Sequence, residues 1–138
     1  VDADAADAVT EENVGEMVAF TKAFAGELDC VVAITGAIDL VADKDSCYVI
    51  RNGVPEMGRI TGTGCQLPGM MTGFLVANPD CPLEAAAAAV CTMGLAGEIG
   101  LSRQQPGDGN STLRNRIIDA ISNMTPEQLA EGAKFEVK

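Results

Sequence analysis

Apolar residues recur at three- and four-residue steps from Val14 through Met17, Val18, Phe20 and Phe24 to Leu28. That spacing predicts a helix over about Glu11–Leu28 with one face turned to a core. Thr10 is placed to cap it, and Glu11 and Glu12 suit its positive end. The pattern then changes. Cys30-Val31-Val32-Ala33-Ile34-Thr35 is an unbroken apolar run ended by Gly36. Continuous apolarity predicts a strand covered on both faces, as in a parallel sheet. Asp39–Ala42 and Ser46–Arg51 read as two short strands joined by the turn Asp43-Lys44-Asp45. Asn52-Gly53 is a further turn signal, and Val54–Ile60 is expected to form one more short strand.

Only helical patterns follow. One runs over about Cys65–Val76, with Pro68 in its first turn. The next runs from about Pro82 to Leu101, with Asp80 as its cap. The small side chains of that helix, Ala85 to Ala89, Gly94, Ala96 and Gly97, let a neighbour come close. Met93, Gly94 and Ala96 read as core packing, with an adenine-facing wall as the sharper alternative. After a polar loop at Gln105–Asn110 comes a helix over about Ser111–Asn123. The residues at its opening, Asn110, Ser111, Thr112 and Arg114, read either as a cap with a surface arginine or as the rim of a nucleotide pocket. Thr125-Pro126-Glu127-Gln128 is a capping box that opens a last helix to about Lys134. Val1–Val9 is an irregular lead-in.

Helix, strand, hairpin, glycine loop and then helices describe part of an α/β domain, without strands ahead of its first helix. Ligands of open α/β sheets lie beyond the carboxyl ends of the strands. Both Thr35-Gly36 and the glycine-rich loop fall there.

Composition narrows the chemistry. The 138 residues are enough for one domain, and with no Trp and few aromatics the core must be aliphatic. Acids outnumber bases 20 to 9, a net charge of −11 that repels a nucleic-acid backbone. The longest apolar run, Leu83–Leu95, is shorter than the roughly 18–20 residues of a membrane span. No basic n-region heads the sequence, so a signal peptide is not expected. Histidine is absent, which excludes Ser-His-Asp and Cys-His catalysis within the chain. The five cysteines are widely spaced, without C-x-x-C, and the reading is reduced thiols in a cytoplasmic protein, mostly buried, with Cys65 the exception. Glu11, Glu12, Glu16 and Glu27 read as a solvated acidic face. Asp39 reads as a turn or strand-end carboxylate rather than a metal ligand, and no metal site is assigned.

Arg59 to Gly69 reads RITGTGCQLPG. Gly62 and Gly64 let the backbone turn tightly and approach a ligand without a Cβ in the way. The amides from Gly62 to Cys65 then fall at a helix N-terminus, a ready anion site. A cysteine there is expected to have a lowered pKa. The spacing alone fits equally a glycine turn that merely starts a helix, and neither the P-loop nor G-x-G-x-x-G pattern is present.

Several segments together carry more. VVAITGAIDLVAD (31–43), ITGTGC (60–65), NPDCPLEAAAAAVCTMGLAGEIG (78–100) and GNSTLRNRIIDAI (109–121) resemble, in the same order, the hydroxyethylthiazole kinases. The resemblance implies a three-layer α/β/α ribokinase-like sandwich. It implies transfer of the γ-phosphate of ATP, with Mg²⁺, to the hydroxyl of 4-methyl-5-(2-hydroxyethyl)thiazole in thiamine salvage. Residue by residue it implies Cys65 as the catalytic residue, where most ribokinase-like enzymes carry Asp. It makes Gly62, Thr63, Gly64 and Cys65 the anion hole, Gly62 a contact to the thiazole alcohol, and Thr35 with Gly36 a contact to ATP. Members of the family are about twice this length and trimeric, and their earlier half supplies the metal carboxylates. Residues 1–138 are therefore expected to be the carboxyl-terminal portion of one such domain, a homotrimer when the other half is present, with one sheet edge left unpaired. The opening at Val1 in place of Met agrees with that. A different ribokinase-like kinase, or a non-catalytic nucleotide-binding or assembly module, are the competing readings.

Overall fold

The structure, a computed structural model, describes residues 8–138; most of the expected lead-in lies outside them. Helix α1 (Val14–Leu28) leads into strands β1 (Val32–Ile34), β2 (Asp39–Ala42) and β3 (Cys47–Ile50). A 3-10 turn (Pro55–Arg59) precedes α2 (Thr63–Ala77), α3 (Pro82–Ser102), α4 (Asn110–Asn123), α5 (Pro126–Gly132) and β4 (Phe135–Val137).

The strands form one sheet in the order β1-β2-β3-β4. Every pairing is antiparallel, with Ala33 opposite Val41, Val41 opposite Tyr48 and Val49 opposite Glu136. Alternation along the strands sorts side chains to two faces. Leu40, Ala42, Cys47 and Val49 pack with Val14 and Val18 of α1. Val41 and Ile50 join Val90, Cys91 and Ala96 of α3 on the other face. Helix–sheet–helix is thus a three-layer α/β arrangement, with α2 and α4 packed outside against α3.

Several sequence expectations change in the structure. The first strand is not a doubly covered parallel strand: β1 is three residues long, lies at the sheet edge with β2 alone as partner, and leaves Ala33 exposed. The expected unpaired edge is therefore present. Val54–Ile60 forms no strand, because Pro55 has no N–H for a ladder and fixes φ in the helical range. Helix α1 starts at Val14, not Glu11. The Thr10 N–H donates to Asn13 Oδ1 (2.8 Å), so Thr10 belongs to the approach and not to the cap. Its buried row is Val14, Val18, Thr21 and Ala25. Phe20 and Leu28 are turned aside and exposed, and Phe20 stacks on Phe24 with ring centroids 6.0 Å apart. Glu11 is not merely solvated, since it pairs with Arg51 at 2.7 Å.

Cys81, not Asp80, occupies the N-cap position of α3. At 21 residues and a mean hydropathy of 1.4 that helix is long and apolar enough to span a bilayer, contrary to the run-length expectation. Its residues are instead buried between the sheet, α2 and α4. Cys47 and Cys91 are buried as expected, but Cys30 and Cys81 are exposed. The capping box forms in full: the Gln128 N–H donates to Thr125 Oγ1 (3.2 Å) and the Thr125 N–H to Gln128 Oε1 (3.1 Å). The last helix ends at Gly132, two residues short of Lys134, because the chain then turns into β4.

That turn is fastened by Asn52. Its side-chain N–H groups donate to Gly132 O (2.9 Å) and Glu98 Oε1 (3.0 Å), and its Oδ1 accepts from the Lys134 N–H (2.8 Å). The same Glu98 oxygen accepts the Gly53 N–H, and its Oε2 accepts from Lys134 Nζ at 2.6 Å. Burial works against ionisation of Glu98, but these donors outweigh it and hold the carboxyl below its ordinary value.

Candidate active site

Gly62 has φ +103°, a left-handed conformation that Gly adopts without strain. It is the N-cap of α2, and its carbonyl accepts the first helical bond, from Gln66 N–H at 2.9 Å. The helix thus begins two residues earlier than the pattern indicated. Thr63, Gly64 and Cys65 are its first three residues, whose amides have no partner within a helix. The start also shifts the place of Pro68, which lies inside α2 rather than in its first turn. Pro68 has no N–H to offer the Gly64 carbonyl four residues back.

A cavity of about 480 Å³ opens beside this turn. Thr35 and Gly36, from the end of β1, line it together with Thr63 and Gly64. Two segments separated by 26 residues in the sequence are thus brought to one space. Gly62 and Cys65 are not among its lining residues, and Cys65 is exposed at the rim of the turn. Met93 and Gly94 of α3 form part of the wall while remaining buried, whereas Ala96 is wholly in the core.

The sequence pattern missed the cavity-lining roles of Asn52, Gly53 and Met57. Asn52 and Gly53 read as an ordinary turn, yet they line the cavity, and Asn52 is only 6% exposed. Asn-Gly is a turn signal in either case, so nothing in the pattern marked the burial. Met57 lines the cavity from the 3-10 turn that had been read as strand. Asn110, read as a cap or a pocket rim, does not line the cavity. It is the first residue of α4, with Gly109 at the N-cap, and its side-chain N–H donates to the Arg59 carbonyl at 3.2 Å. This bond ties α4 to the entrance of the glycine loop, while Arg114 is exposed.

Asp39 is the carboxylate on the cavity wall. It caps the preceding turn, accepting the Gly36 N–H at 2.8 Å, and burial pushes its carboxyl up to about 6. Among the described residues there is no grouping of three acidic, cysteine or histidine side chains able to hold a metal ion.

An α/β layer whose strand end and helix N-terminus meet at one cavity is of the class that takes anionic or nucleotide-like ligands. The comparisons are more specific. The hydroxyethylthiazole kinase family model matches residues 3–127. The chain belongs to that family. It is 45% identical over 136 residues to a hydroxyethylthiazole kinase of Clostridium acetobutylicum, covering 99% of this chain and 50% of the relative. It is 33% identical to hydroxyethylthiazole kinase 2 of Methanosphaera stadtmanae, covering 98% and 48%. The solved structure of a hydroxyethylthiazole kinase protein from Pyrococcus horikoshii superposes with a TM-score of 0.78 at 27% identity, over 93% of this chain and 48% of that one. The fold is accordingly that of a ribokinase-like portion, and the chain spans about half the length of the relatives it matches.

Proposed function

We propose that this chain is the part of a thiazole-alcohol kinase that bears the glycine loop. The completed protein transfers the γ-phosphate of ATP to the hydroxyl of 4-methyl-5-(2-hydroxyethyl)thiazole, in thiamine salvage. The observation that carries this reading is the meeting of Thr35 and Gly36 with Thr63 and Gly64 around one cavity, in a chain of this family.

In that reading the alcohol oxygen attacks the γ-phosphorus, the bond to the ADP oxygen breaks, and the hydroxyl proton leaves. Such a transfer depends mainly on positioning and on donors fixed where charge develops. The amides of Gly62 to Cys65 supply donors, Gly62 touches the thiazole alcohol, Thr35 and Gly36 contact ATP, and Cys65 stands beside the acceptor hydroxyl. Magnesium is carried chiefly by the phosphates in such sites. Its protein carboxylates are expected from the half that the relatives possess beyond this chain. The completed enzyme is read as a cytoplasmic homotrimer, without nucleic-acid or membrane partners.

The test is thiazole-dependent ADP formation by the chain completed with that half. Its absence would overturn the reading. Faster phosphorylation of a sugar or pyrimidine alcohol would instead favour another ribokinase-like kinase. The coverage of only half of each relative favours a second reading, a nucleotide-binding or assembly module without turnover. ATP binding with no turnover, unaffected by Cys65→Ala, would support it.

A further inference from the structure

Asp39 is the one carboxylate among the cavity-lining residues. As the first residue of β2 it shares a face with Val41, toward α3. Its Oδ1 accepts the Gly36 N–H at 2.8 Å. Apart from this bond, residues 35–38 between β1 and β2 make no turn hydrogen bond among the described residues.

The charge on that carboxylate is not matched. No cation lies within ion-pair distance among the described residues, and Arg51, just past the end of β3, is engaged by Glu11 and Glu136. On α3 the group coupled to it is the thiol of Cys91, which burial pushes up to about 11 and so keeps neutral. Thr35, Gly36 and Ala37 carry no charge. A turn cap needs only an acceptor oxygen, which a neutral Asn also offers. A buried, unpaired carboxylate lowers stability, and such groups concentrate at functional sites. An ionised acceptor, in return, makes a stronger bond to an amide than a neutral one.

We propose that Asp39 is a positioning residue of this site: its carboxylate clamps the Gly36 amide and holds the Thr35–Gly36–Ala37 turn in the form that faces the Thr63 and Gly64 end of the cavity. The effect on ligand rests on the nucleotide reading given above; the clamp itself does not.

The experiment compares wild type, Asp39→Ala and Asp39→Asn, all as the 138-residue chain, by amide exchange and by titration with Mg-ATP in NMR. Asp39→Ala is expected to speed Gly36 exchange about tenfold and to weaken Mg-ATP about tenfold. Asp39→Asn, which keeps a neutral and weaker acceptor, is expected to recover only part of both. Unfolding midpoints recorded alongside separate the local effect from general destabilisation. In the completed enzyme the same change is expected to raise KM for ATP more than it lowers kcat. Unchanged Gly36 exchange in Asp39→Ala overturns the clamp, and faster exchange with an unchanged Mg-ATP Kd overturns the positioning role. If neither the wild-type chain nor the completed enzyme takes up Mg-ATP, the nucleotide reading fails, and the exchange data alone then decide whether Asp39 holds the turn.

Discussion

Gly94 of α3 lies directly against Asn52: a Cβ on Gly94 would stand 2.6 Å from the Asn52 Cβ and 2.7 Å from its backbone carbonyl. Backbone cannot swing away as a flexible side chain can. Gly94→Ala would gain about 1 kcal/mol of helix propensity, but overpacking of about 3 kcal/mol outweighs it. A net loss of about 2 kcal/mol is expected in urea unfolding. The contrast is Gly73→Ala in α2, where nothing stands within 4 Å. There the propensity term acts alone, and a gain of about 0.5–1 kcal/mol is expected.

Asn52→Ala removes three hydrogen bonds at once and strands the Lys134 N–H and the Gly132 carbonyl. A loss of about 2–3 kcal/mol is expected, with β4 losing protection first in hydrogen exchange. Uniform loss across the sheet would contradict the local role assigned to this side chain.

Asp39 gives the chain a pH signature. Its carboxyl is raised from 3.8 to about 6, by burial, so the folded state holds a proton that the unfolded state has released between those values. Stability from this group therefore falls as pH rises through that window, and the penalty is complete above about 6. Asp39→Asn is expected to be more stable than wild type at pH 7.5 by about 1–2 kcal/mol, after allowance for solvent screening of a shift worth ~3 kcal/mol at most. The difference should vanish near pH 4. Parallel stability curves for the two proteins would refute the assignment.

For catalysis, Cys65→Ala in the completed enzyme is expected to lower the phosphorylation rate well below wild type while ATP still binds. Wild-type turnover in that variant would remove Cys65 from the mechanism.

The helical half of the fold was legible because its apolar residues recur with a helical period; its ends were less so, since the Thr125 box appears as read but Asn13 and Cys81, not Thr10 and Asp80, stand at the N-caps of α1 and α3. The sheet was legible in position but not in kind. Val31 to Ile34 are apolar in either setting, and whether such a run is central or at an edge depends on what lies beside it. The exposed Ala33 could not be told from a covered one. β4 escaped notice because Phe135, Glu136 and Val137 are too few to set a period; their pairing is supplied by β3. At the site, Thr35, Gly36, Thr63 and Gly64 were found from their glycines and from the resemblance. Asn52 and Met57 act through contacts across 80 and 40 residues of sequence, to Gly132 and Gly97, and Asn110, though singled out, has its bond to Arg59 51 residues away. No local pattern encodes such contacts.

Pro68 bears on the mechanics of the loop. With no amide to reach back to the Gly64 carbonyl, the first turn of α2 is joined to the rest of the helix by one fewer bond, just where its free N–H groups begin. Leu67, the residue of α2 that is buried, sits on the glycine side of that missing bond, so the anchored part of the helix is the turn at the cavity and the stretch beyond Pro68 is held mainly by its own ladder.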